Sequence, residues 1–107
     1  MATTQPFKLI YAAQVKQHLK TIERKYHSFI RETIENQLRF EPDVETRNRK
    51  PVEQPTTFEA DWELRFGPNH QFRAFYTINI SQREVYIVAI GVKQGNKLFI
   101  GGEEVEL

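Results

Sequence analysis

Two arginines flank a turn in the segment WELRFGPNHQFRAFY, residues 62–76, and Lys93 closes a later apolar run. An arginine presents a planar fork of donors and a lysine a compact charge, and both suit phosphate. Side chains on a strand alternate faces with period two. If Trp62, Leu64 and Phe66 are buried, Glu63 and Arg65 face the other way. On the next strand Arg73, Phe75 and Thr77 share a face, opposite Phe72, Ala74, Tyr76 and Ile78. On the last strand Lys93 reads as in phase with Val85, Ile87, Ala89 and Gly91. Arg65, Arg73 and Lys93 can therefore converge on one open face. The basic run TRNRK, with Arg47, Arg49 and Lys50, enters the first of these strands. Together these residues would form a positive, partly aromatic concavity suited to a phosphodiester backbone.

A plainer reading stands beside that one. Cations on an exposed sheet face are often just solvated, or paired here with Glu63 and Glu84, and TRNRK reads equally as a solvated loop. Glu63 is either a general base or a salt-bridge partner for Arg65. His18 reads as a surface helix residue, His27 lies at a helix junction and His70 in the hairpin turn near the proposed face. No His/Asp/Glu spacing suggests a metal site. Gly101-Gly102 is too short for a phosphate-binding loop and reads as a turn. No metal or cofactor is expected.

The elements that must position these residues are legible from periodicity. FKLIYA (7–12) alternates as a short strand. From Ala13 the period becomes helical, with Val15, Leu19, Ile22 and Tyr26 on one face. A second helix is expected from Ser28, a good N-cap, carrying Ile30, Ile34 and Leu38 and ending before Pro42. Residues 41–57 hold three of the five prolines and no apolar periodicity, and read as a connection. Three strands are expected near 58–66, 71–80 and 84–93, joined by short turns that favour antiparallel hairpins. The third, VYIVAIGV, is apolar enough to be central and buried on both faces. The tail carries one more apolar pulse, Leu98, Phe99 and Ile100, before an acidic end. The order β-α-α-β-β-β predicts an α+β layer, an N-terminal strand and a two-helix hairpin packed on a small twisted antiparallel sheet.

Length and composition bound the answer. A chain of 107 residues suits one domain, 1–107, and 39% hydrophobic with 12% aromatic residues is enough for a compact core. Fifteen basic and 14 acidic residues give a net charge of +1, so any case for nucleic acid rests on where the charges sit. The absence of cysteine excludes disulfides and thiolate chemistry. No apolar run approaches the ~20 residues of a membrane helix. The N-terminus shows no basic segment ahead of an apolar stretch, so a cytoplasmic protein is expected.

The early strand, the helical pair, KPV before the sheet, WELRF followed by FRAFY, and VYIVAIGVK as last strand together resemble the RelE/ParE superfamily. These are the toxins of bacterial type II toxin–antitoxin pairs. The resemblance covers nearly the whole chain and implies two helices against a twisted antiparallel sheet. It also implies a cognate antitoxin partner and, for the RelE-like branch, metal-independent endoribonuclease cleavage of mRNA on the ribosome that blocks translation. There the 2′-hydroxyl attacks the adjacent phosphate, and basic side chains replace the usual histidine pair. By position, Arg73, Arg65 and Lys93 take the catalytic places, with Lys50 beside them, and Phe99 falls near the base-stacking place; Arg47, Arg49 and Lys97 are expected to add RNA contacts. Three departures stand out. Glu63 falls where the RelE pattern has a lysine, Phe99 falls near its late tyrosine, and no C-terminal histidine is present. ParE-like members instead poison DNA gyrase, and a member that binds RNA or protein without catalysis is a third option.

Overall fold

The computed structural model describes residues 5–52 and 59–105. The chain opens with β1 (Lys8–Tyr11), α1 (Ala13–Lys20), a 3-10 turn at Arg24–Tyr26 and α2 (His27–Leu38). Six strands follow: β2 (Arg49–Pro51), β3 (Trp62–Phe66), β4 (Phe72–Asn79), β5 (Glu84–Gln94), β6 (Lys97–Ile100) and β7 (Glu103–Val105). They form one antiparallel sheet in the order β2-β3-β4-β5-β6-β7, and β1 bonds to β5 in parallel. This is the α+β arrangement expected from the periodicity.

Val15 of α1 and Ile30, Ile34 and Leu38 of α2 bury one helical stripe against Leu64, Phe66, Phe72, Ala74, Tyr76, Val85, Ile87 and Ile90 of the sheet. Two helix boundaries differ from the sequence reading. α1 stops at Lys20, where the Thr21 hydroxyl donates to the His18 carbonyl at 2.7 Å, so Ile22 and Tyr26 lie beyond it. α2 starts at His27 rather than at Ser28, and Tyr26 takes the N-cap position with no side-chain bond. His27 supplies the joint instead. Its Nε2 lies 2.8 Å from the Leu19 carbonyl and 2.9 Å from that of Ile22, tying the end of α1 to the start of α2.

β5 organises the sheet. β4 covers one edge along nearly its whole length, while β1 takes the first part of the other edge and β6 the last. Among the described residues, that second edge has no strand partner between Ile87 and Gly91. α1 fills the gap: Gln14 Nε2 donates to the Val88 carbonyl at 3.1 Å, and the Ile90 N–H donates to His18 Nδ1 at 3.2 Å. Gln14 and His18 sit one helical turn apart, so a single face of α1 satisfies both backbone groups. His18 is thus a half-buried docking residue, not the surface residue its position in the sequence suggests.

A bulge lies at the same place. Phe75 pairs with Ala89 but Tyr76 pairs with Ile87, leaving Val88 without a partner in β4. One extra residue reverses the alternation. Val85 and Ile87 join the core under the helices, whereas Ala89 lies in a second cluster on the opposite face. The expected phase of Lys93 with Val85 and Ile87 is thereby corrected; Lys93 keeps only Ala89 and Gly91 as face-mates.

The far face is not open along its length. Ala60, Phe75, Ala89 and Leu98 form a small core there, with Val52, Val88 and Ile100 against it. The tail read as one apolar pulse folds into β6 and β7 around Gly101 and Gly102, both at positive φ as the turn demands. β2 emerges inside the segment read as a connection, a short edge strand that Pro51 can terminate because its missing N–H faces no neighbour. β3 begins at Trp62, later than expected; residues 53–58 lie outside the described part. Gly67 makes the β3–β4 turn possible, since at φ +84° a Cβ there would come within 2.6 Å of the Phe72 ring. Among the described residues, no helix is long and apolar enough to cross a membrane.

The His18 contact yields a stability test. Burial lowers the His18 pKa from 6.5, so folding favours the neutral ring that accepts from Ile90. The stabilisation it brings is therefore complete above pH 6.5 and lost as pH falls below that value toward the lowered folded pKa. Urea denaturation of His18→Ala at pH 8 should show a loss of about 1–3 kcal/mol, the cost of an orphaned buried N–H. The variant should also lack part of the wild-type decline between pH 7 and pH 5.

Candidate functional site

The β3–β4 register sets Arg65 directly opposite Arg73 and Glu63 opposite Phe75. β2 adds Lys50 opposite Glu63, and β5 adds Gly91 opposite Arg73. On this face one row therefore runs Arg65, Arg73, Gly91, and the next runs Lys50, Glu63, Phe75, Ala89. Lys93 follows Gly91 at the end of β5, with Leu98 of β6 across from it. Arg65, Arg73, Lys93 and Lys50 thus share the side of the sheet away from the helices. Alternation places the two arginines there, the bulge in β5 places Lys93, and pairing with Glu63 places Lys50.

The two arginines are not equivalent. Arg65 holds 40% of its side-chain exposure, whereas Arg73 keeps 5%. Glu63, itself buried, bridges them: Oε1 receives Arg65 Nε at 2.6 Å and Oε2 receives Arg73 Nη1 at 3.3 Å. Arg73 Nε also donates to the His70 carbonyl at 3.2 Å, which anchors the guanidinium under the β3–β4 turn. Burial pushes the Arg73 pKa down, Glu63 opposes that shift and Arg65 adds to it. Among the described residues, no acceptor meets the Nη groups of Arg65, whose side chain is 40% exposed.

Comparison with protein-family models, with curated proteins and with solved structures finds no match to this chain. The case for a site rests on the geometry alone.

Four of the residues assigned to RNA binding fall elsewhere. Arg49 pairs with Leu64 and so points under the helices, where Nη1 donates to the Gln37 carbonyl in the last turn of α2. A cation there meets the negative end of the helix dipole. It is buried and serves the fold. Lys97 and Phe99 alternate with Leu98 and Ile100 and therefore face away from Arg73; Lys97 lies 3.8 Å from Glu104. Arg47 is exposed in the loop before β2, on neither sheet face. Glu84, a possible partner for the cations, instead accepts the Tyr86 hydroxyl at 2.6 Å at the far end of β5. No group of residues able to hold a metal occurs among those described.

Sequence reasoning paired Glu63 with Arg65 but missed its bond to Arg73. The signal was present: a cross-strand pair of like charges needs a counter-ion, and Glu63 is the nearest acid in either strand. The arrangement can bind an anion through Arg65, Lys50 and Lys93, with Arg73 holding Glu63 and the turn in place.

A second concavity, about 950 Å³, lies on the helical side between β1, α1 and α2. Leu9, Val15, Leu19 and Ile30 line it with apolar surface. Lys8, Lys16, Arg31 and Arg39 outnumber Glu35 among its charged residues.

Removing the Glu63 carboxylate should expose the dependence of Arg73 upon it. Glu63→Ala should cost about 3–5 kcal/mol in urea denaturation, because it strands a buried guanidinium. Glu63→Ala with Arg73→Ala should cost much less than the sum of the two single changes, with a coupling of about 1–3 kcal/mol.

Proposed function

We propose that this chain is the toxin of a type II toxin–antitoxin pair and acts in the cytoplasm on mRNA at the ribosome. The observation that carries the reading is the gathering of Arg65, Arg73, Lys93 and Lys50 on one face of the sheet. Arg65, Arg73 and Lys93 are the positions that the RelE-like pattern assigns to catalysis, and Lys50 supports them. The α+β arrangement, two helices against an antiparallel sheet, also agrees with that pattern. In this reading the RNA 2′-hydroxyl attacks the neighbouring phosphorus, the 5′-oxygen leaves and a 2′,3′-cyclic phosphate remains. The Nη groups of Arg65 and the ammonium of Lys93 stabilise the charge that gathers on the phosphorane oxygens. Glu63 is committed to two guanidinium groups, so water takes the 2′ proton and supplies one to the departing 5′-oxygen.

One observation favours a second reading. Glu63 offsets one of the two charges of the arginine pair, which suits a member that binds RNA or a partner protein without cutting. Nothing in the geometry singles out DNA gyrase as a target.

The cognate antitoxin is proposed to lie in the groove between β1, α1 and α2. Its apolar floor and excess of cations fit an acidic amphipathic segment. Expression should then arrest growth, and the product of a neighbouring small reading frame should relieve the arrest. Lys16→Glu with Arg31→Glu should weaken that relief.

Primer extension on a translated mRNA separates the two main readings. The wild-type protein should give ribosome-dependent cuts, and Arg65→Ala should slow them about 100-fold, the cost of losing one oxyanion-stabilising group. Wild-type protein that binds RNA but leaves the message intact supports the silent reading and removes the nuclease.

A further inference from the structure

Arg65 and Arg73 stand directly opposite one another on adjacent strands, an unfavourable placement unless an anion lies between them. A phosphate group in that place would offer one oxygen to each guanidinium. Here the place is filled from within. Glu63 gives Oε1 to Arg65 and Oε2 to Arg73, the division of donors that a phosphate would impose.

We propose that Glu63 is a built-in substitute for phosphate, so that Arg65 and Arg73 form a masked anion site. The resting protein then meets polyanions through Lys50, Lys93 and the outer end of Arg65 only. Three features argue for it. Arg73 and Glu63 keep 5% and 10% of their side-chain exposure, so an external phosphate cannot reach Arg73 while the carboxylate stays. Arg65 turns Nε inward to Glu63 and remains 40% exposed, which leaves one half of the site at the surface. Lys50, opposite Glu63 on the exposed edge strand, offers the displaced carboxylate an alternative cation. The inference rests on the mRNA reading only for the identity of the polyanion; the site itself fits an oxyanion that presents one oxygen to each guanidinium.

Glu63→Gln tests it, because the amide keeps the shape and one acceptor while removing the charge. Two probes are used: sulfate, read as a rise in Tm, and a labelled single-stranded RNA, read by anisotropy across a salt series. Glu63→Gln should bind the RNA about tenfold more tightly than wild type at equal salt. Its plot of log K against log salt should steepen by about 0.7, the increment for one further phosphate neutralised. Sulfate should raise its Tm more than that of wild type. A Glu63→Gln protein that is unfolded in buffer but folds when sulfate is added gives the same support, since the ion then replaces the lost carboxylate. One that stays unfolded in saturating sulfate overturns the proposal. Gain for sulfate without gain for RNA keeps the masked site and removes RNA as its ligand. Wild-type RNA binding that Glu63→Gln leaves unchanged, with no gain for sulfate, overturns the mask and leaves the mRNA reading standing.

Discussion

The Glu63 carboxylate lies between two guanidinium groups that the β3–β4 register would otherwise set face to face. Both oxygens are used, one for each arginine, and the bond to Arg73 is made where little water reaches. Placing one ion of such a pair in a buried site costs more than its partner alone returns unless further hydrogen bonds help. The His70 carbonyl gives that help to Arg73 from the turn. Register, turn conformation and charge pairing are therefore one arrangement. Gly67 permits the turn, the turn presents the His70 carbonyl, and the carbonyl with Glu63 holds the guanidinium in place.

The same arrangement separates two roles that the sequence alone could not tell apart. Arg65 and Arg73 look alike in the pattern, each a cation among alternating apolar residues. In the fold, Arg73 is an internal strut and Arg65 a surface donor, because Arg73 belongs to β4 with strands on both sides while β3 is flanked on its outer side only by a three-residue edge strand. Position within the sheet, and not residue type, decides which guanidinium can meet a ligand.

Much of the fold was legible because period is a local property. Ile30, Ile34 and Leu38 at successive turns and Leu64 and Phe66 at alternate positions bury the faces their spacing predicts. Strands stabilised by distant partners were harder to see. β2 is short and polar, and only its pairing with β3 makes it a strand. β6 and β7 form around Gly101-Gly102 on the edge of β5. Arg49 illustrates the corresponding limit for the site. TRNRK reads as one basic run, yet pairing of Arg49 with Leu64 turns its guanidinium under α2 while Lys50 turns to the other face. A run of charges carries no information about faces until its register is known.

The bulge at Val88 is what lets the core and the cation face coexist on β5. With strict alternation, Val85, Ile87 and Lys93 would share a side. Either Lys93 would enter the apolar core under the helices, or Val85 and Ile87 would occupy the cation face. One extra residue resolves the conflict, sending Val85 and Ile87 inward and Ala89, Gly91 and Lys93 to the opposite side. Gly91 completes the arrangement. It is the cross-strand neighbour of Arg73, and a Cβ there would lie 3.0 Å from Leu98, Ile100 and the Phe99 carbonyl. A larger residue would press on β6, whereas glycine lets β6 close against β5 beside the buried arginine. The bulge also coincides with the gap that α1 fills through Gln14 and His18. The irregular stretch that turns Lys93 toward the cation face is thus the stretch clamped by the first helix, and the orientation of that lysine depends on how α1 docks.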